Sequence, residues 1–161
     1  MEKRNLYDFN RNKTGFTINK DDDIPNNYFI LMVVIFIQNE NNEFLIQKRS
    51  KEKGGDWAFT GGHPKAGESS LEGIITEINE ELGILINDPI CFKNASGKNT
   101  FCDLYYLKQD VKLSSIKLVD GEVDEVKYAT IDEIEQLYLN GEFKKGHYMM
   151  FKDCLNYINN R

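Results

Sequence analysis

The longest apolar run of the chain is YFILMVVIFI, from Tyr28 to Ile37. It is too short to cross a bilayer as a helix, and its Val and Ile content predicts a buried central strand. A polar turn follows, and the segment Phe44–Ser50 is predicted to be the hairpin partner of that strand. Other apolar or alternating segments predict further strands, namely WAFT, ILIND, ICFKN, TFCDLYYLK and EVKYATI.

The strongest helix signal follows a glycine-rich loop, GGHPKAGE. Ser69 and Glu72 have the spacing of a capping box, and Gly83 stands where a residue that ends the helix is expected. Apolar side chains recur at helical spacing, so one face of this helix is predicted to pack on the core. That stripe comprises Leu71, Ile74, Ile75, Ile78 and Leu82.

The remaining segments complete the prediction of a single domain over residues 1–161. Residues 1–27 are polar and are interpreted as an N-terminal arm that contains one short strand. The segment DEIEQLYL predicts a short helix, and residues 147–159 predict a C-terminal amphipathic helix. Strands mixed with a few helices, without a repeat or a linker, favour an α/β sandwich.

Composition narrows the class of protein. The net charge of −6 argues against a protein that coats nucleic acid, because phosphate backbones select basic faces. The three cysteines are scattered and form no CxxC pair, which predicts neither a disulfide framework nor a structural zinc site. With no apolar signal segment at the N-terminus, we expect a cytoplasmic protein without a membrane anchor. The oligomeric state is not indicated.

The predicted helix carries an unusual cluster of acidic residues. Glu77, Glu80 and Glu81 fall within the six residues EINEEL, although like charges at this spacing repel each other. All three lie on one flank of the apolar stripe, and the small residues Ser70 and Gly73 share that flank. We expect these small residues to leave a gap in which a ligand approaches the carboxylates. Clustered carboxylates suit a hard divalent cation such as Mg²⁺, although glutamates also simply solvate surface helices.

The spacing of these residues resembles the Nudix box, G-x5-E-x7-R-E-U-x-E-E-x-G-U, where U is a bulky aliphatic residue. The match runs from Gly62 through Glu68 to Ile84, and its one departure is Thr76 in place of the arginine. The surrounding sequence, from Tyr28 to about Ile134, also resembles MutT-like Nudix hydrolases. The resemblance therefore covers most of the chain.

Membership of this family implies an α/β/α sandwich around a mixed sheet. It also implies hydrolysis of a nucleoside diphosphate linked to another moiety, with Mg²⁺ or Mn²⁺ as cofactor. Glu77, Glu80 and Glu81 match the metal-binding carboxylates of the box, and Glu77 or Glu81 is a candidate base. Glu68 and Gly83 match its supporting positions. Bound metal ions neutralise a diphosphate and activate water, which explains why the chain crowds its negative charge.

Further candidates lie outside the box helix. Glu122 matches a downstream acid that Nudix enzymes often use as a metal ligand or base, although an exposed loop charge explains it equally well. Arg49 ends a strand next to the glycine loop and is a candidate for binding a substrate phosphate, together with Gly61 and Gly62. The partner is thus expected to be a small-molecule diphosphate whose identity the sequence does not reveal.

Two other functions compete with hydrolysis. The motif GHP at His63 also resembles type I isopentenyl-diphosphate isomerases, but their catalytic cysteine corresponds to Gly61, which cannot protonate an alkene. A non-catalytic diphosphate-binding module is supported by Thr76 and opposed by the intact carboxylate set. If the site is active, we expect Lys65, Lys98 or the metal ions themselves to orient the carboxylates in place of the arginine.

Overall fold

The structure, a computed structural model, describes residues 2–161 and is built around a mixed seven-stranded sheet. The strands of the described chain are β1 (Lys3–Tyr7), β2 (Lys13–Asn19), β3 (Ile30–Gln38), β4 (Phe44–Arg49), β5 (Trp57–Ala58), β6 (Thr60–Gly62), β7 (Ile90–Ser96), β8 (Thr100–Lys108) and β9 (Val123–Ala129). Its α-helices are α1 (Ser70–Leu82), α2 (Ile131–Leu139) and α3 (Lys145–Asn159).

The central strand β3 is covered on both faces, as its continuous apolar run predicts. Val33 and Ile35 point to one face, where they pack against the apolar stripe of α1. Val34 and Phe36 point to the other face, where they contact Phe151 of α3 in a cluster that also includes α2. The sheet therefore lies between α1 on one side and α2 with α3 on the other, and the predicted α/β sandwich is confirmed.

The pairing of the strands differs from the predicted hairpin. β3 meets β4 only at Gln38 and Phe44, after which the two strands separate. β3 then pairs in parallel with β8 and antiparallel with β6, while β4 pairs with β9 and β5. Because β3 and β4 separate, the single strand predicted at WAFT is divided into two short strands. β5 pairs with β4, and β6 pairs with β3. This separation opens the space in which the glycine loop and α1 meet the sheet.

Two other expectations are wrong in detail. The segment ILIND is not a strand, because its alternation arises from an irregular segment that buries Ile84 and Ile86 in the core beside α1. Leu71 is 44% exposed and does not belong to the buried stripe of α1, because it lies in the first turn of the helix. None of the helices in residues 2–161 is long and apolar enough to cross a membrane.

The ends of the chain lie next to the sheet. The N-terminal arm contains two antiparallel strands, β1 and β2, instead of the one expected. This hairpin is attached through a bridge between Tyr7 and Phe29, and the backbone N–H of Ala66 donates to the carbonyl of Lys3 at 2.7 Å. The predicted C-terminal helix is present and begins at Lys145, two residues earlier than expected.

Candidate active site

The glycine loop brings the backbone of β6 directly against the first box carboxylate. A Cβ atom added to Gly62 would lie 2.4 Å from the Cδ atom of Glu77, so any larger residue would displace this carboxylate. A Cβ atom on Gly61 would lie 2.6 Å from the carbonyl oxygen of Val33 in β3. Both glycines are therefore needed for the close packing of loop, sheet and helix.

The helix α1 begins and ends as its sequence predicts. The Ser69 hydroxyl accepts a hydrogen bond from the backbone N–H of Glu72 at 3.1 Å, which completes the capping box. Gly83 ends the helix in the left-handed conformation, with φ of 67°. Because both ends are fixed, the acidic flank of α1 has a defined orientation toward β3 and β6.

A cavity of about 750 Å³, called the central cavity below, lies between this flank of α1, the sheet, the N-terminal hairpin and the start of α3. Most of the residues predicted for the site line it, and they come from β4, β6, α1 and the segment before β9. Glu68 and Gly83, which were predicted as supporting positions, do not line it. The predicted residues brought together are Arg49, Gly61, Gly62, Glu77, Glu80, Glu81 and Glu122.

Glu81 is the most buried carboxylate of the cavity, with only 7% of its surface exposed. Its Oε1 atom accepts a hydrogen bond from Gln47 at 3.5 Å, whereas its Oε2 atom is buried without a partner among residues 2–161. Burial, followed by the charges of Glu77 and Glu122, raises the pKa of Glu81 to about 8. Burial and the nearby Glu80 raise the pKa of Glu77 to about 7.

An acidic pair of this kind fits a divalent cation. Two desolvated carboxylates repel each other, and an unpartnered buried oxygen costs free energy that a cation would offset. The fit is best for Glu77 and Glu81. Within the described chain, no three acidic, histidine or cysteine side chains already surround one ion position, and Glu80 and Glu122 are each paired with a lysine.

Glu80 and Glu122 each face a lysine. The Oε1 atom of Glu80 lies 2.7 Å from Nζ of Lys65, and the Oε1 atom of Glu122 lies 3.5 Å from Nζ of Lys53. Both carboxylates are partly exposed, so these ion pairs are weak and exchangeable. The predicted three-carboxylate set on α1 is thus present in the cavity but is not arranged around a single point.

The gap expected beside Ser70 and Gly73 is absent, because protein atoms occupy it. A Cβ atom on Gly73 would lie 2.5 Å from Cγ of Pro64, so this glycine accommodates the proline of the GHP motif. The Ser70 hydroxyl is hydrogen-bonded to the hydroxyl of Tyr105 at 2.7 Å. The accessible side of the carboxylates is instead the one that faces β3, β4 and β6.

Comparison with known proteins agrees with this geometry. The sequence model of the NUDIX domain matches residues 29–154. The chain belongs to the Nudix family. An uncharacterised Nudix hydrolase of Listeria monocytogenes is 33% identical over 149 residues, which cover 89% of this chain and 88% of the relative. These Nudix homologues and the matched domain show that the protein is a hydrolase that acts on diphosphate bonds.

Solved structures share the fold at lower identity. The crystal structure of the Deinococcus radiodurans protein DR0079 has a TM-score of 0.78 at 18% identity, covering 95% of this chain and 99% of that one. A bifunctional NMN adenylyltransferase/ADP ribose pyrophosphatase of Francisella tularensis, complexed with AMP and a manganese ion, has a TM-score of 0.61 at 19% identity. It matches over 80% of this chain and 42% of its own length. Nudix hydrolases generally use divalent metal ions and act on nucleoside diphosphate derivatives.

The departure from the Nudix box has a clear structural role. The hydroxyl of Thr76 donates to Oε2 of Glu68 at 2.7 Å, while Oε1 of Glu68 accepts the backbone N–H of Lys65 at 2.7 Å. Glu68 therefore ties the glycine loop to α1. The side chain of Lys65 then reaches Glu80, as expected of a cation that replaces the arginine. The other candidate, Lys98, lines a different pocket, so that expectation is wrong.

Sequence reasoning missed several polar residues of the central cavity. Arg4 and Lys20 come from the N-terminal hairpin, and Lys144 and His147 come from the start of α3. They stand alone in otherwise polar or apolar segments, so neither periodicity nor a motif distinguishes them. What they share is that the N-terminal hairpin and the start of α3 both lie at the cavity, which only the fold reveals.

His147 is a fixed neutral group in the wall of the cavity. Its Nδ1 atom accepts the backbone N–H of Phe59 at 3.1 Å, so the ring proton lies on Nε2. Burial lowers the pKa of His147 to about 3, with a smaller effect from Lys144. The imidazole therefore stays uncharged at neutral pH and holds α3 against the loop between β5 and β6.

Proposed function

We propose that this protein is a metal-dependent pyrophosphohydrolase that cleaves a nucleoside diphosphate linked to another moiety, with Mg²⁺ or Mn²⁺. The observation that carries the proposal is the buried pair Glu77 and Glu81, in which one oxygen of Glu81 lacks a partner among the described residues. Both carboxylates line a cavity large enough for a nucleotide-sized ligand. Burial first, and then the neighbouring carboxylates, raise the pKa values of both groups, and a bound cation would offset both effects.

Glu77, Glu80 and Glu81 would hold the cation, with Glu80 exchanging its ion pair with Lys65 for this role. A bound divalent cation supplies charge neutralisation for the diphosphate and an activated water nucleophile. Glu77, Glu81 and Glu122 are the candidates for accepting the proton from that water, since all three line the cavity. The side chain of Glu122 is 37% exposed, whereas Glu81 is buried.

The other predicted residues position the substrate. Arg49 is oriented by Asp56, whose Oδ1 atom lies 3.3 Å from Nη1, and its guanidinium would bind a phosphate oxygen. Gly61 and Gly62 carry no side chains, so the backbone of β6 leaves room for a phosphate beside Glu77. Glu68 and Gly83 hold the loop and the helix end and contact no substrate.

Two related structures suggest probes for the substrate. The Francisella tularensis enzyme is described as an ADP ribose pyrophosphatase, and the Nudix domain of Shewanella oneidensis NrtR was crystallised with ADP ribose. Because these likenesses are below 25% identity, they support a nucleoside diphosphate derivative without selecting one. All three cysteines of this chain are free, in agreement with the cytoplasmic location that we propose.

The test is a product screen with purified protein. ADP-ribose, nucleotide sugars, dinucleotides and nucleoside triphosphates are incubated with Mg²⁺ or Mn²⁺, and phosphate and nucleotide products are separated by chromatography. We expect at least one diphosphate to be cleaved, and we expect EDTA to abolish its cleavage. Absence of turnover across the whole panel, with protein that melts cooperatively, would favour the binding-module alternative.

The structural environment weakens both alternatives. A cysteine at position 61 would place its Cβ 2.6 Å from the backbone carbonyl of Val33, so the loop is not shaped for the catalytic thiol of an isomerase. Isopentenyl diphosphate should therefore yield no dimethylallyl diphosphate. The non-catalytic binding module was supported by Thr76. Because the Thr76 hydroxyl holds Glu68 in place, this residue does not indicate a disabled site.

A further inference from the structure

A series of buried hydrogen bonds connects the sheet to Glu81. The hydroxyl of Thr60 donates to the Oε1 atom of Gln47 at 2.7 Å, and the Nε2 atom of Gln47 donates to the Oε1 atom of Glu81 at 3.5 Å. The three residues belong to β6, β4 and α1, and only 4% to 7% of each is exposed. Because these polar groups are buried, water competes little for their hydrogen bonds.

The two partners of this series that precede Glu81 are fixed by the sheet. Gln47 lies opposite Ala58 of β5 and Val126 of β9, whereas Thr60 lies opposite Ile35 of β3. Thr60 thus belongs to the β3 side, and Gln47 to the β4 side, of the place where these two strands separate. The hydrogen bond between their side chains joins the two parts of the sheet directly beneath the acidic helix.

The two ends of the Gln47 amide have different partners for a chemical reason. An ionised carboxylate only accepts hydrogen bonds, so the NH₂ end of the amide must face Glu81 and the carbonyl end must face Thr60. The reversed amide would bring its oxygen against the carboxylate. The Thr60 hydroxyl completes the arrangement, because it supplies a donor to a carbonyl oxygen that would otherwise be buried without one.

This arrangement treats the two oxygens of Glu81 differently. Oε1 accepts from Gln47, whereas Oε2 is buried without a partner among residues 2–161. A carboxylate held at one oxygen has a restricted rotation about its last bond, so the position of its other oxygen is also defined. Gln47 lines the central cavity but Thr60 does not, so Thr60 acts on Glu81 only through Gln47.

The short strand β6 is linked to both buried carboxylates of α1. Gly62 lies directly against Glu77, and Thr60, two residues earlier, is connected to Glu81 through Gln47. The register of β6 on β3 therefore helps to position both acidic groups. The carboxylate pair is held from the sheet as well as by the helix that carries it.

We propose that Gln47 and Thr60 are positioning residues for the metal site. Gln47 orients the Glu81 carboxylate so that Oε2 is the oxygen left for the cation, and Thr60 holds the amide of Gln47. This inference rests on the proposed function, in which Glu81 is a ligand of the divalent cation. Replacing a residue that hydrogen-bonds a ligating group typically weakens metal binding by about 10- to 100-fold.

The test measures the Kd of Mn²⁺ by electron paramagnetic resonance without substrate, so that turnover does not contribute. Thr60→Val removes the hydroxyl at nearly constant volume, whereas Thr60→Ser retains it. We expect Thr60→Val to raise Kd at least about fivefold and Thr60→Ser to raise it less than about twofold. Gln47→Met removes the donor to Glu81 and should raise Kd at least about tenfold. If Gln47→Met does not fold, the two Thr60 variants decide.

Ser70→Ala is the matched control for a general loosening of α1. The Ser70 hydroxyl is hydrogen-bonded to that of Tyr105 at 2.7 Å, and Ser70 does not line the central cavity. Its removal should leave the Kd of Mn²⁺ within about twofold of the wild type. Thermal melts in EDTA accompany each variant. A loss of stability shared by Thr60→Val and Ser70→Ala would not account for a change in Kd seen only in the former.

The outcomes separate this inference from the proposed function. If Glu81→Gln weakens Mn²⁺ binding but Thr60→Val leaves it unchanged, the positioning role is overturned and the proposed metal site stands. Equal weakening by Thr60→Val and Ser70→Ala would also overturn the positioning role, because it would indicate loosening of α1 alone. Mn²⁺ binding that does not depend on Glu81 would overturn the proposed metal site and this inference together.

Discussion

Thr76 and Glu68 are joined by a hydrogen bond of 2.7 Å between the threonine hydroxyl and the Oε2 atom of the glutamate. Glu68 uses its other oxygen to accept the backbone N–H of Lys65, so one carboxylate connects α1 to the glycine loop. The residue that departs from the Nudix box is therefore part of the support for the site. The short Thr76 side chain holds Glu68 directly, whereas the arginine of the Nudix box is longer and positively charged.

Removing this hydroxyl should loosen the loop. We expect Thr76→Val to lower the free energy of unfolding by about 1 kcal/mol, because Glu68 loses a hydrogen bond in a partly buried position. Thr76→Ser keeps the hydroxyl and is the matched control, with a smaller expected loss. Urea unfolding at neutral pH measures both variants. Equal stability of Thr76→Val and wild type would show that the bond contributes nothing.

Restoring the arginine should have little effect on catalysis. Because Lys65 already pairs with Glu80 and Thr76 already holds Glu68, Thr76→Arg should change kcat by less than about tenfold at saturating Mg²⁺. Steady-state kinetics on the best substrate of the panel provide the measurement. A gain of about a hundredfold or more would mean that the natural site is disabled and that binding is its main activity.

Gly62 tests the packing of the loop on the first carboxylate. In Gly62→Ala the new Cβ would lie 2.4 Å from Cδ of Glu77, so the flexible end of the glutamate must move. We expect kcat/KM to fall at least about tenfold while the melting temperature changes little. Gly146→Ala is the control, because a Cβ there meets no atom within 4 Å, and its activity should be unchanged. Normal turnover by Gly62→Ala would remove Glu77 from the proposed site.

The buried carboxylates also predict how stability depends on pH. The pKa of Glu81 is about 8 and that of Glu77 about 7 in the folded chain, above their ordinary value of 4.5. The folded state therefore binds these protons more tightly than the unfolded state does. Their contribution to the free energy of unfolding is complete below pH 4.5 and is lost as the pH rises to about 8. In EDTA, Glu81→Gln should match the wild type near pH 5 and melt at a higher temperature near pH 8.5.

Mg²⁺ should reverse this pH effect in the wild type. The cation binds the ionised carboxylates, so it should raise the melting temperature more at pH 8.5 than at pH 5.5. The increase should be smaller in Glu81→Gln at both pH values. Thermal melts of the two proteins with and without Mg²⁺ make the comparison. An increase independent of pH and of Glu81 would indicate that the cation binds elsewhere.

The sequence predicts those parts of the fold that local chemistry controls. The Val- and Ile-rich run of β3 and the capping box at Ser69 are both found, because burial and caps act within a few residues. The prediction of a strand at ILIND was wrong because apolar and polar residues also alternate in an irregular segment that covers a core. The expectation of a gap at Gly73 was wrong because Pro64 fills it. This proline lies in a loop whose path the sequence of the helix does not determine.

The site is predictable only where it forms a contiguous motif. The box residues Glu77, Glu80 and Glu81 follow from spacing on one helix, and they do line the cavity. Arg4 and Lys144 lie 140 positions apart in the chain and line the same cavity only because the N-terminal hairpin and α3 both pack beside the sheet. No local pattern in the sequence predicts that two such distant residues share a cavity, so only the structure identifies them.

The measurement that tests the central proposal most directly is kcat of Glu81→Gln on the best diphosphate substrate, at saturating Mg²⁺ and pH 8. Glu135→Gln, an exposed glutamate of α2 outside the cavity, is the matched control. We predict that Glu81→Gln lowers kcat at least about tenfold, or roughly 1.4 kcal/mol of barrier, while Glu135→Gln has the wild-type rate. Wild-type turnover by a well-folded Glu81→Gln protein would contradict the account and would move the catalytic centre away from the carboxylates of α1.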